Sequence, residues 1–158
     1  MAGLETKAER GIQKLDLEKE IEIAASMDLV YESLLEQIGP YCQVPDGDPI
    51  PMILEQWPGG RWYRDLGSNA GWCWGHVQVI EPPVRLEIWG PHFMQYPAVT
   101  HSQYLLSERD GLTLLKFHYL VVGQLKEEDR VSVSRCDFMH RVRAMAETAA
   151  KQNNNARK

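Results

Sequence analysis

A chain of 158 residues, 44% hydrophobic and 25% charged, has the composition of one globular domain, which excludes a coiled coil, a collagen-like repeat and wholesale disorder. A formal net charge of −5 with no lysine- or arginine-rich run in the body argues against nucleic acid or an anionic membrane as partner. Cys42, Cys73 and Cys136 stand singly and MAGLETKAERGIQKLD holds no apolar leader, which predicts a reduced, cytoplasmic protein rather than a secreted disulfide scaffold.

Residues 1–16 are polar and predict a flexible N-terminal segment, and residues 151–158 (KQNNNARK) predict a disordered polar tail. Between them, residues 17–150 read as one folded domain. It opens with LEKEIEIA, where Leu17, Lys19, Ile21 and Ile23 alternate with Glu18, Glu20 and Glu22, the period of a half-buried strand. Ser26 then offers a helix N-cap, with Asp28 in the first turn. Val30, Leu34 and Ile38 recur every four residues, an amphipathic helix ending at Gly39-Pro40. Four prolines between residues 40 and 51 mark a loop.

From Met52 the pattern turns to strands. MILEQW and RWYRDL flank Pro58-Gly59-Gly60, a hairpin signal, and WCWGHVQVIE, VRLEIW, VTHSQYLLSE and LTLLKFHYLVV follow, each bounded by Gly, Pro or Asp-Gly punctuation. That makes seven strands, the last six consecutive. From about Val131 to Lys151 a helix is predicted, with Cys136, Met139, Val142, Met145, Ala146 and Ala149 on one side and Arg135, Arg141 and Arg143 on the other. Val131 to Val133 would suit a strand equally well. An antiparallel sheet with one apolar face needs a covering layer, and the one long helix comes last. The expected architecture is therefore α+β: a curved, seven-stranded antiparallel sheet wrapped around a long C-terminal helix.

The order and spacing of LEKEIEIAASMDLVYESL, PGGRWYRDLG and WGHVQVIEPPVRLEIWGP resemble the START-like (SRPBCC) superfamily, and within it the branch named for activators of the heat-shock chaperone ATPase. The family's glycine pair before an aromatic matches Gly59, Gly60 and Trp62. Its glycine-x-valine, proline pair and leucine match Gly75, Val77, Pro82, Pro83 and Leu86. The resemblance covers about residues 17–150 and implies the helix-grip fold, with an internal apolar cavity between sheet and helix. Two features depart from the branch. No Gly-Trp pair opens the last helix near Val131 to Phe138, and the residues before Leu17 hold no counterpart of a chaperone-binding N-terminal domain. Members elsewhere in the superfamily bind lipids, hormones or polyketides, and some are cyclases or hydroxylase subunits, so fold alone leaves function open.

On the residues themselves, Trp62, Tyr104, Phe117 and Tyr119 are expected to line the cavity with Val77, Leu86, Ile88 and Met139; the alternative is a filled core. Arg64 shares a face with Trp62 by alternation. It would anchor a ligand carboxylate, pair with an acid such as Glu55, or reach solvent, because an unpaired buried charge is costly. Trp72, Trp74 and His76 fall opposite Cys73, Val77 and Val79, which makes them an exposed interface or an outer face covered by the loop of residues 40–51. The five histidines, His76, His92, His101, His118 and His140, show no HxH, HxxxH or HExxH spacing, so no metal or other cofactor is expected. His92 reads as an exposed loop side chain, or else a titrating group at a cavity mouth. No GxSxG, P-loop or GxGxxG occurs, and no catalytic residue is assigned. The sequence thus predicts a domain binding a small hydrophobic or amphipathic molecule, with a cyclase- or hydrolase-type enzyme and a chaperone-associated interaction module as alternatives. A protein partner or homodimer stays open.

Overall fold

Alternation of acids and apolar residues in the first strand leaves Glu18, Glu20 and Glu22 in water and turns Leu17, Ile21 and Ile23 toward the interior. The computed structural model describes residue 3, residues 11–45 and residues 47–158. Its elements run β1 (Gln13–Ile23), α1 (Met27–Ile38), β2 (Ile53–Leu54), β3 (Arg61–Gly67), β4 (Ala70–Glu81), β5 (Arg85–Gly90), β6 (Ala98–Arg109), β7 (Leu112–Gly123), α2 (Glu127–Arg135) and α3 (Phe138–Ala156). The seven strands form one antiparallel sheet in the order β1-β7-β6-β5-β4-β3-β2. Hairpin neighbours pair in sequence from β2 to β7, and β1 returns to close the far edge against β7. The helices cover one face, so the architecture is the helix-grip expected from the strand count and the late helix.

Local chemistry explains the placement. Ser26 caps α1 by accepting from the Leu29 N–H at 3.4 Å, and Val30, Leu34 and Ile38 are all buried. α3 buries Phe138, Met139, Val142 and Ala146, and Glu147 ties it to the end of β1 by accepting from the Ala24 N–H at 3.0 Å. Phe138 meets Phe117 edge-on at 4.9 Å and Tyr104 at 5.8 Å, which seats the start of α3 on the sheet.

Four details differ from the sequence reading. β1 begins at Gln13 rather than Leu17, because Gln13 to Asp16 pair with Gly123 to Leu120; residues 1, 2 and 4–10 of the expected flexible segment lie outside the described residues. MILEQW contributes only the two-residue β2, since Pro51 and the turn leading into Pro58 leave little room for a ladder. The predicted single helix is two. Cys136 takes an extended backbone (φ −61°, ψ 121°) between α2 and α3, and Lys19 of β1 caps the break by donating to the Ser134 and Cys136 carbonyls at 3.0 and 3.5 Å. Finally, α3 continues to Ala156 through the stretch expected to be a disordered tail. Extending an established helix fixes one residue per hydrogen bond and needs no new nucleus.

Candidate functional site

β3 and β4 do not run in simple register. Trp62 pairs with Gly75, but Tyr63 pairs with Cys73, so Trp74 is the extra residue of a β-bulge. The bulge turns Trp74 inward. Its indole meets that of Trp62 edge-on at 5.2 Å and Phe93 at 6.2 Å. The expected outward trio of Trp72, Trp74 and His76 is thereby split, because a two-residue period fails across a bulge. His76 stays on the outer face against Trp89, and Trp72 is 46% exposed. Gly75 allows the arrangement: a Cβ there would lie 2.6 Å from the Trp89 carbonyl oxygen.

The loop after β5 uses the same feature. The His92 N–H donates to the Trp74 carbonyl at 2.7 Å, and His92 takes φ +52°, a strained conformation that histidine tolerates better than most residues. This points the imidazole inward, between Trp62 at 5.1 Å and Tyr119 at 5.5 Å. His92 is only 5% exposed, which corrects the reading of an exposed loop side chain. Burial pushes its pKa down to about 3, so the ring is neutral at physiological pH.

Trp62, Trp74, His92, Phe93, Tyr104, Phe117, Tyr119 and Phe138 enclose a cavity of about 240 Å³ between the sheet and the helices. Gln37, Cys42, Val44, Asp129, Val133, Cys136 and Arg141 continue its walls toward the loop after α1, α2 and the start of α3. The partly exposed residues Gln43, Val44, Asp129, Ser132 and Arg141 form the mouth, and the buried aromatics form the inner end. The size lies just under the usual span for small-molecule sites, about 300–1,000 Å³.

The polar groups of the wall divide into two sets. Several are engaged by the protein: Trp62 Nε1 donates to the Ile38 carbonyl at 2.8 Å, Arg141 Nε donates to Gln37 Oε1 at 3.0 Å, and the Tyr96 hydroxyl donates to Asp129 Oδ2. Others are not. Among the described residues, the buried side-chain polar atoms without a hydrogen-bond partner are His92 Nε2, Tyr119 Oη and Thr100 Oγ1. Burial drives the Tyr119 phenol well above its ordinary pKa; the Thr100 hydroxyl lies near enough to offset part of this without reaching hydrogen-bond geometry. An unmet buried polar group costs about 1–3 kcal/mol, and here His92 and Tyr119 stand side by side in the wall.

Of the nine residues singled out from sequence, Trp62, Tyr104, Phe117 and Tyr119 line the cavity. Val77, Leu86, Ile88 and Met139 are buried in the surrounding core, outside the lining. Arg64 is half-buried on the expected face, but near the strand end, with its guanidinium 5.6 Å from the Trp72 ring. Glu55 is held by Arg61, at 2.7 and 2.9 Å, and not by Arg64. The lining expected from sequence omitted Trp74, Phe93, Val133 and Phe138, and gave His92 only as an alternative, a titrating group at a cavity mouth. For Trp74, His92 and Phe93 the signal, aromatic residues beside Gly75 and after Gly90-Pro91, was present, but the bulge and loop that turn them inward were not readable from it.

No protein-family model matches the chain, and no curated protein matches it significantly. Solved structures do. The di-domain ARO/CYC StfQ from the steffimycin biosynthetic pathway superposes with a TM-score of 0.60 at 11% identity, over 87% of this chain and 52% of that one. A protein from Chromobacterium violaceum gives 0.62 at 13% identity, over 84% and 96%. The Aha1 dimer from Colwellia psychrerythraea gives 0.56 at 14% identity, again over 84% and 96%. The chain spans about half the length of the di-domain cyclases it matches. At these identities the likeness establishes the helix-grip fold, shared with cyclase-like and Aha1-like proteins. Among the described residues no helix is long and apolar enough to cross a membrane.

Proposed function

We propose that this protein binds a small hydrophobic or amphipathic molecule in the cavity between its sheet and its helices. The observation that carries the reading is the pairing of an aromatic enclosure with two unpartnered polar side chains, His92 and Tyr119, in its wall. Ligand sites commonly combine an apolar lining with a few polar groups that fix orientation. A structural core has no use for those orphan groups, since each weakens folding.

The cyclase or hydrolase alternative needs an acid–base pair in the cavity. General acid–base catalysis by histidine calls for a pKa near the working pH and a partner to orient the ring. Among the described residues His92 Nε2 meets no acid, and burial holds its pKa near 3. Among the described residues the carboxylate of the wall is Asp129, which accepts from Tyr96. Binding without turnover fits this lining better. The interaction-module alternative loses its paired indoles, because Trp74 faces inward.

Native mass spectrometry of gently purified protein tests the proposal, with titration of an apolar dye followed through tryptophan emission. Trp62 and Trp74 line the cavity, so an occupant should alter their fluorescence. Absence of any retained molecule, together with unchanged emission under saturating dye, would overturn it.

A further inference from the structure

We infer that the cavity selects an uncharged ring compound whose hydroxyl group reaches the inner end beside Tyr119 and His92, and that it discriminates against carboxylated analogues. This rests on the ligand-binding reading above and adds the chemical class of the occupant.

The walls decide the shape. Tyr104 and Phe117 stack at 5.1 Å and 28°, Phe138 closes one side edge-on, and Trp62 with Trp74 closes the other. Flat aromatic surfaces in an enclosure of about 240 Å³ suit a compact ring system, which gains edge and face contacts at little conformational cost.

The unpartnered atoms decide the polar group. A tyrosine hydroxyl donates and accepts, and a neutral imidazole carries one donor and one acceptor nitrogen. A ligand hydroxyl can donate to one and accept from the other, so it satisfies the pair without bringing in charge. An ionised carboxylate only accepts, and it would arrive at the inner end desolvated. Among the described residues no cation lines that end. Trp62 Nε1, the other donor nearby, is already committed to Ile38. Among the described residues the cation of the lining is Arg141, which stands at the mouth, bonded to Gln37, with Asp129 also in the lining. Arg64, the sequence candidate for a carboxylate anchor, is outside the lining. Thr100 stands beside Tyr119, close enough to its hydroxyl to hold the phenol pKa down in part, and a ligand hydroxyl competes with that contact.

Equilibrium dialysis at neutral pH with naphthalene, β-naphthol and β-naphthoate separates shape, hydroxyl and charge. β-Naphthol should bind about ten-fold more tightly than either of the others, the scale of one hydrogen bond formed by otherwise unmet buried groups. Tyr119→Phe should erase the preference over naphthalene while naphthalene itself binds as before, which also reports that the variant is folded. His92→Asn, compatible with the positive φ, should reduce the same preference. Equal binding of naphthalene and β-naphthol would overturn the hydroxyl assignment and leave the ligand-binding reading standing. β-Naphthoate binding as tightly as β-naphthol, with the affinity lost in Arg141→Gln, would place the polar group at the mouth and overturn it as well. Failure of all three probes to bind would overturn both readings.

Discussion

The indole N–H of Trp62 donates to the backbone carbonyl of Ile38 at 2.8 Å, and Ile38 is the last residue of α1. Carbonyls in the final turn of a helix have no partner within it, so the sheet satisfies one that would otherwise be buried and unmet. Trp62→Phe keeps most of the packing and orphans that carbonyl; it should cost about 1–3 kcal/mol. Trp62→Ala adds the loss of the ring and should cost about 3–5 kcal/mol. Urea denaturation of both variants checks the pair. A loss under about 1 kcal/mol for Trp62→Ala would show that neither the ring nor its N–H supports the fold.

Added volume should be felt differently inside and outside the cavity. Val77 is 1% exposed and lies in the packed core, not in the lining. Val77→Phe should therefore destabilise by about 1–3 kcal/mol through displaced rotamers. Val133 of α2 borders the cavity, where extra atoms find contacts instead of clashes. Val133→Phe should keep the melting temperature within a few degrees while abolishing dye binding. Equal destabilisation of the two variants would mean that the space near Val133 is not available.

His92 should make stability fall with acid. An unfolded histidine has its ordinary pKa of 6.5, and burial lowers the folded value to about 3. Between those values the unfolded chain binds a proton that the folded one refuses. The contribution is complete above pH 6.5 and is lost as pH falls through the window, by about 1.4 kcal/mol per pH unit. The difference in unfolding free energy between wild type and His92→Asn, measured from pH 7 to pH 4, should shrink or reverse with that slope. A difference independent of pH would mean that His92 is hydrated when folded.

Ending the chain near Leu125 removes α2 and α3, and with them Phe138, Met139, Val142 and Ala146 from the core. The concave face of the sheet would stand open, and the product should aggregate or lose cooperative unfolding. Calorimetry and light scattering of the truncated protein check this; a soluble species with a sharp transition would contradict the grip of α3 on the sheet.

Features that depend on neighbours in sequence were legible before the structure: the two-residue period of β1, the Ser26 cap, and the turns that separate six successive strands. The face assignments of Trp62, Tyr104, Phe117 and Tyr119 followed from alternation within unbroken stretches. Trp74 did not, because the bulge exists only in the pairing of β3 with β4, a property of two strands together. His92 did not, because its direction is set by a left-handed backbone and by a hydrogen bond to the Trp74 carbonyl. The division between α2 and α3 was hidden for a similar reason. No proline or glycine marks it, and what stabilises it is Lys19, more than a hundred residues earlier.

That division separates two duties that one continuous helix would have merged. α3 buries Phe138, Met139, Val142 and Ala146, whereas α2 buries Val133 alone while forming part of the cavity wall. Segments with so little apolar burial open at a small fraction of the global unfolding free energy. Under the proposed binding function, the amide exchange of the nine residues of α2 should slow when the cavity is filled, while α3 exchanges at the pace of the whole fold. Residence time of the proposed guest and thermal robustness should then be separately adjustable, each through its own helix.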